Sequence, residues 1–577
     1  MRDWQYILIT ISLLFANVDA LAQPTSPELD AIQRQTQQVL QQQQERLDAE
    51  RRRIEFEQQS TTENIQSSPA VTPTSTSSLP AGCFTITRID IQHATLLDKN
   101  TRATLTAPLL NSCVSFERIN QLLRDITAFY FDQGYITTRA YLPEQDIGAG
   151  VLIVHVVEGK TTTIGFSDTR IKSAGSIYTA FPGLIGAPLN LRDIEQGLDQ
   201  MNRLQSQKTR VEFLPGDNPG ETRVMLDRIT TSPYQFRLQY DNSGQESTGI
   251  EQMSLFAGMD TPFNINDYTY IYVQSDIEDA STEQESKNIA WHYDLPWGYW
   301  LVGIDSSQFK YQSPVEGRLQ RFISSGINNS TSLFFNYLLT RDRSSKNRIK
   351  LKLQRDSTKN FIEDVKLDTS SRVLSTASLE ISHQHFLPNN QEITFSATYH
   401  QGIRAWDAEK DDPNAVDVPL AQFEKYTTNT SYTKNTGIKN VPVNFSSTLR
   451  TQYSADPLFN SEKMSVGSQF SVRGYKEKSI SGEKGGIWRN DVTILQILPN
   501  DLRSRYFNNL QWFVAYDIGT VSAAQHHNYE SLQGWATGLR SQHKNYNLDV
   551  TYAEPVNPPN DPLIKTEQVY FSLALSF

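Results

Sequence analysis

From Tyr234 to Phe577 the chain alternates apolar and polar residues in short runs such as "FRLQYDNSG", "YTYIYVQSD", "RIKLKLQRD", "EITFSATYHQG" and "NYNLDVTYAEP". Turn-forming Gly, Asn and Asp separate these runs, and almost no sustained helical period interrupts them. Alternation with period two places successive side chains on opposite faces of a strand. In the last run, "VYFSLALSF", Val569, Phe571, Leu573, Leu575 and Phe577 share one face; Tyr570, Ser572, Ala574 and Ser576 share the other. An apolar face suits lipid and a small polar face suits a wet lumen, so this part reads as a transmembrane β-barrel. Its length supplies about sixteen strands at ~10 residues each, with turns.

The N-terminal part has a different texture. Residues 25–58, within a candidate segment 23–58, are rich in helix formers and lack glycine, with Thr25 or Ser26 placed to cap and Pro27 in the first turn. The apolar positions Leu29, Ile32, Leu40, Leu47 and Ile54 make only a thin stripe, so this helix cannot sit in a dry core. Two placements stay open: a coiled-coil or surface arm, and a watery lumen. "SSPAVTPTSTSSLP" (67–80), within a linker 59–82, is too polar to fold alone and makes the helix separately movable.

Two small mixed units follow. In 83–159, "CFTITRIDIQHATLL" alternates as a strand. "SFERINQLLRDITAFYFDQGY" carries Ile119, Leu122, Leu123, Ile126 and Phe129 at helical spacing, with Gly134 as the stop. "YITTRAYLP" and "GVLIVHVVEG" then read as strands. In 160–229 the order recurs: "TTTIGFSD" as strand, "LRDIEQGLDQMNRLQ" as helix, "TRVEFLPG" and "ETRVMLDR" as strands. The pair forms an internal repeat of α+β units whose exposed sheet edges suit binding by strand addition.

Composition narrows the compartment. No run of eighteen apolar residues follows the N-terminus, which excludes a bundle of membrane helices. A mean hydropathy of -0.48 fits strands that are apolar on one face only. Tyr 25, Phe 27 and Trp 8 supply aromatic girdles, and a net charge of -11 argues against nucleic acid. Residues 1–22 have a charged tip at Arg2, an apolar core from Tyr6 to Phe15 and an Ala20-Leu21-Ala22 ending. They read as a signal peptide, with a mature start at Gln23. Cys83 and Cys113 are the only cysteines, and both fall in the first small unit. An oxidising periplasm favours their disulfide, worth ~3–4 kcal/mol.

The order and spacing of "CFTITRIDI", "DQGYITTRAYLPEQDIGAGVLIVHVVEG", "LRDIEQGLDQMNRLQSQKTRVEFLPGDNPGETRVML", "HYDLPWGYW", "SVRGY" and "AYDIGTV" resemble the outer-membrane transporters of two-partner (type V) secretion, the TpsB type. The resemblance spans the mature chain. It implies a plug helix, a linker, two periplasmic POTRA domains and a barrel of sixteen antiparallel strands over 230–577. An inward-folded loop near 465–490 is expected to carry Val472-Arg473-Gly474-Tyr475. It further implies that Arg473 reaches Asp517 of "AYDIG", where Gly519 matches the family pattern and Ala515 departs from an aromatic or glycine. Phe577 matches the aromatic ending offered to the barrel-assembly machinery.

Arginine presents a planar fork to a carboxylate, glycine permits a tight turn, and Tyr475 can pack on the wall. In a wet lumen such a pair is expected to contribute about 1–3 kcal/mol. The implied partner is a large exoprotein (haemolysin, adhesin or contact-dependent inhibition toxin) that docks through its N-terminal secretion domain. The remaining partner is outer-membrane lipid, and the chain is expected to work as a monomer. A barrel insertase of the BamA type is the alternative, disfavoured by the helix and the two-unit count. No GxSxG, HExxH or GxxxxGK[ST] occurs, so neither an enzyme nor a cofactor is expected. Adjacent His526 and His527 read as solvated rather than as a metal site.

Overall fold

The computed structural model describes residues 26–59, 82–168, 174–277, 283–317, 320–414, 418–438, 441–495, 509–524, 528–543, 545–556 and 567–577. The signal-peptide segment, the Ser/Thr/Pro linker and His526-His527 lie outside these residues. The barrel runs from Tyr234–Asp241 to Gln568–Ser576, and those two strands pair antiparallel to close it (Leu573 opposite Tyr240). Sixteen strands form the wall; the two-residue Val365–Lys366 is a side pairing on Ser345–Ile362. Closure removes every sheet edge, which a spanning structure in hydrocarbon requires. Alternation sorts the two faces. Leu255, Ile271, Ile289, Leu351, Leu379 and Val550 are exposed on the outside, whereas Gln252, Ser254, Gln274, Asn288 and Ser332 are buried inside. In the last strand Tyr570 and Ala574 are buried while Val569, Leu575 and Phe577 are exposed.

Helix α1 (Ser26–Gln59) lies within this barrel. Of the two placements its polarity allowed, the lumen is the one adopted. Val39 packs on Phe309 and Tyr311, and Ile54 on Phe256, Tyr268, Tyr270 and Tyr272, with Leu47 alongside. Leu40 joins the Val39 cluster, and the helix's side-chain hydrogen bonds and ion pairs to the barrel and loop are polar.

The first periplasmic unit contains β1 (Cys83–Ile86), β2 (Arg88–Gln92), α2 (Lys99–Thr106), β3 (Ser112–Ser115), α3 (Phe116–Asp132), β4 (Arg139–Tyr141) and β5 (Val151–Val157). The alternation from Cys83 predicts one strand, but the chain makes two that serve different sheets. β1 pairs with β3, and β2 pairs parallel with β5. The switch falls at Thr87, where the N–H groups of Thr87 and Arg88 both donate to Gly150 O (2.8 and 3.2 Å). Helix α2, capped by Asp98, has too few apolar residues to show a period. Ile119, Leu122 and Ile126 of α3 bury against Leu152 and Val154 of β5, and Gly134, at φ +93, ends the helix region.

The second unit has β6 (Lys160–Phe166), α4 (Ala174–Ala180), α5 (Leu191–Asn202), β7 (Gln207–Pro215) and β8 (Glu221–Thr230) in a β6-β8-β7 sheet with its own core. Acidic residues of α5 fasten it to the barrel. Arg341 Nη1 lies 2.5 Å from Asp199 and Arg341 Nε 3.0 Å from Glu195, while Lys346 Nζ is 2.7 Å from Asp199. Burial pushes the Asp199 carboxyl up, but Lys346 and Arg341 more than offset this and hold it below the usual carboxylate range.

Candidate functional site: a loop pinned inside the barrel

Between strands Val441–Tyr453 and Lys484–Ile494 the chain turns back into the lumen. Residues 484–490, which the sequence reading placed in the loop, are already barrel wall. The alternation of "KGGIWRND" is masked by its two glycines. Short antiparallel strands Met464–Val466 and Ile480–Gly482 make the stem of the loop. Val466, Val472 and Tyr475 bury against Ile487, Val521 and Leu532 of the wall, so the loop carries its own apolar seat. The Tyr475 hydroxyl donates to Gln533 O (3.2 Å).

At the tip, Arg473 forks onto Asp517 of strand Asn509–Ser522. Nε donates to Oδ2 at 2.6 Å, Nη2 to Oδ1 at 2.6 Å, and the Arg473 backbone N–H to Oδ2 at 3.1 Å. Nη2 also donates to Asp491 Oδ1 at 2.7 Å. Arg489, opposite Asp517 in the sheet register, has Nε 3.6 Å from Asp517 Oδ1. Two arginines and two aspartates thus balance in charge. Arg450 and Arg489 also donate to Phe470 O (3.0 and 2.8 Å), gripping the loop just before its tip.

The pair is drier than a wet-lumen reading expects: the Asp517 side chain is 0% exposed and that of Arg473 4%. For a buried pair, losing one partner costs about 3–5 kcal/mol, because the other charge is left uncompensated. The packing around the pair explains this dryness. Ala515 is buried with Ala536, Ala553 and Phe513, and the Phe513 ring, two residues earlier on the same face, lies 6.0 Å from the Arg473 guanidinium.

Gly474 is required twice over. Its φ is +99, and an added Cβ would sit 2.5 Å from the Glu554 carbonyl carbon. Side chains at Gly519 and Gly534 would run into Val466 and into the Arg473 carbonyl oxygen, respectively. Gly534, Asp491, Arg489 and Phe513 were missed from sequence. The traceable signal was register: two residues beyond the strand position facing Asp517, the alternation brings Asp491 to the same face.

Helix α1 is held by a second set of charges. Arg46 Nη2 lies 2.8 Å from Asp241 Oδ2, and Arg237 pairs with Glu50. The Ser468 hydroxyl donates to Glu45, and Gln42 Nε2 donates to Lys476 O (3.1 Å), so helix and loop touch directly. Gln35 Nε2 donates to Ser313 Oγ (2.8 Å) and Gln41 Nε2 to Asn460 O (2.5 Å).

The chain is similar to known proteins over nearly all of its length. The haemolysin secretion/activation protein model (ShlB/FhaC/HecB) matches residues 220–541, a ShlB-type POTRA domain 84–159, and a further POTRA domain 160–215. The chain belongs to this family. The outer membrane transporter CdiB of Dickeya dadantii is 34% identical over 502 residues, covering 86% of this chain and 88% of the relative. CdiB of Escherichia coli is 30% identical over 572 residues, covering 98% and 92%. The solved Escherichia coli CdiB structure superposes with a TM-score of 0.82 at 29% identity, covering 97% of this chain and all of that one. The family's work is transport: the chain is an outer-membrane transporter of two-partner secretion, with its POTRA domains in the periplasm. Membership decides between transporter and insertase.

Of the other residues singled out, Cys83 and Cys113 are bonded across the β1–β3 pair, with Cα atoms 5.3 Å apart. Phe577 stands outward at the end of the closing strand, its N–H donating to Phe236 O (3.0 Å).

Proposed function

We propose that Arg473 and Asp517 form the anchor that keeps the inward loop on the wall, so that the pore is lined and gated rather than empty. The observation that carries this is the fork of Arg473 on a carboxylate with no solvent exposure. At rest α1 fills the lumen as a plug; on export it leaves, and the partner passes as an extended chain. The partner's N-terminal secretion domain adds a strand to an open edge of the POTRA sheets, such as β4, which among the described residues pairs only with β5. The relatives named CdiB are 34% and 30% identical to this chain, which favours an exoprotein of the contact-dependent inhibition class over a haemolysin or an adhesin. The Cys83–Cys113 bond braces the first POTRA domain, and Phe577 is read by the assembly machinery. No catalytic step is assigned.

Arg473→Ala and Asp517→Ala are each expected to leave folded barrel in the outer membrane while export of a co-expressed partner falls. Normal export by both would overturn the anchor. Exchanging the two charges tests the contact itself, and co-expression with toxin, haemolysin and adhesin secretion domains in turn tests partner class.

A further inference from the structure

The second periplasmic unit is seated against the barrel by more than its acidic helix. One face of α4 meets the periplasmic turns of the wall. Asn266 Nδ2 donates to Ser176 O (2.7 Å), Thr179 Oγ1 to Ile265 O (2.8 Å), and the Gly298 N–H to Thr179 O (2.7 Å). These bonds fix the height and rotation of the helix relative to the barrel rim. From the same helix Tyr178 projects with 63% of its surface exposed, and its ring centroid lies 4.7 Å from that of Trp297 in an edge contact of 83°.

Trp297 is not a lumen residue. It ends strand Glu285–Trp297 on the face that carries Ile289 and Trp291, all three exposed. Trp300, which begins the next strand, is exposed too, with Tyr337 4.5 Å away. Phe263 on the neighbouring turn is exposed and meets Tyr293 at 6.2 Å. Together these rings make the girdle expected where a barrel meets the headgroups on its periplasmic side. Tyr178 joins that girdle from a different domain.

We infer that the second POTRA domain touches the inner leaflet of the outer membrane, with α4 at headgroup level and Tyr178 entering the lipid beside Trp297. An exposed tyrosine is costly in water on its ring and well matched to an interface that offers hydrocarbon to the ring and water to the hydroxyl. The occupant is lipid rather than protein because the patch is continuous with the lipid-facing wall. The domain is thereby braced on two sides, by the barrel turns and by the bilayer, and its sheet edges face the periplasm in a fixed attitude.

The test uses the full chain in vesicles of phosphatidylethanolamine and phosphatidylglycerol. A nitroxide is placed on Tyr178→Cys, with Trp297→Cys as the membrane standard and Tyr141→Cys, on β4 of the first unit, as the water standard. The ratio of collisions with oxygen to collisions with a water-soluble nickel chelate is expected to be several-fold higher at 178 than at 141, approaching that at 297. A ratio at 178 equal to that at 141 overturns the inference. A Tyr178→Trp variant gives a second reading free of the label: lipids brominated on the acyl chain should quench its added emission. Unquenched added emission likewise overturns the inference.

Discussion

The inward loop and the lumen helix are held by the same chemistry, a buried arginine on an aspartate, yet they are held to different degrees. The loop leaves the wall and returns to it, and Val466, Val472 and Tyr475 give it an apolar seat around Arg473. Remove the Arg473 side chain, and Asp517 keeps the backbone N–H at 3.1 Å and Arg489 at 3.6 Å. The helix is joined at one end by a segment whose sequence favours a flexible tether. Its lumen contacts are mostly glutamine and charge, and the Gln43 Nε2 is buried with no partner among the described residues. Remove Arg46, and Asp241 still accepts from Gln239 Nε2 (2.9 Å) and from the Ser243 N–H (3.0 Å). What separates the two pairs is dryness: the loop's arginine and aspartate are 4% and 0% exposed, the helix's 10% and 4%. A part that stays and a part proposed to depart can share one kind of contact when their burial and apolar seating differ.

The largest effect is expected from Asp517→Ala. It leaves Arg473 and Arg489 with Asp491 as the remaining aspartate of the cluster, and removing one side of such a buried cluster costs about 3–5 kcal/mol. Partner export should fall to background while heat-modifiable mobility on gels still reports a folded barrel. Arg473→Ala should be milder, because the stranded carboxylate keeps Arg489. Reversal of that order would break the account of the cluster as a balanced set. Next comes Gly474→Ala, which combines a φ of +99 with a Cβ at 2.5 Å from backbone. Left-handed strain costs roughly 1–3 kcal/mol. Export should drop partially, and measured loop protection against protease should drop with it.

How much of this was readable beforehand follows from which interactions are local. The barrel, the polar helix and the two mixed units are legible, since alternation and helical spacing survive in one sequence; the Arg473–Asp517 pairing comes only from the family resemblance. Asp491, Arg489 and Phe513 were not, because their importance comes from strand register across the wall, and the glycines at 485 and 486 hide the start of that strand. The dryness of the pair is not legible either, because the apolar cluster that excludes water draws residues from four separate segments. The split of the first alternating run into β1 and β2 depends on two partner strands far along the chain. The lumen placement of α1 could not be read, because a thin apolar stripe serves a surface arm equally well.

The helix gives the sharpest contrast in sign. Arg46→Ala removes one charged contact whose acceptor stays satisfied, a loss of about 1–2 kcal/mol. With 1.4 kcal/mol per tenfold, the vacant-lumen population should rise roughly five- to thirtyfold. In planar bilayers this appears as more frequent large-conductance openings, with export retained. Loss of export on the scale of the loop variants would break the distinction between an anchor and a releasable plug.

The smallest effect is expected from Asp491→Asn. Asp491 accepts from Arg473 Nη2 at 2.7 Å, but its side chain is 26% exposed, where that of Asp517 is fully covered. Water at that edge screens the lost charge, and the amide oxygen can still accept the same hydrogen bond, so the change should stay near 0.5–1 kcal/mol, about the size of a surface pair. Export measured beside Asp517→Ala should remain near wild type. Equal damage from both would mean that the charge sum of the cluster, and not the dry fork on Asp517, holds the loop in place.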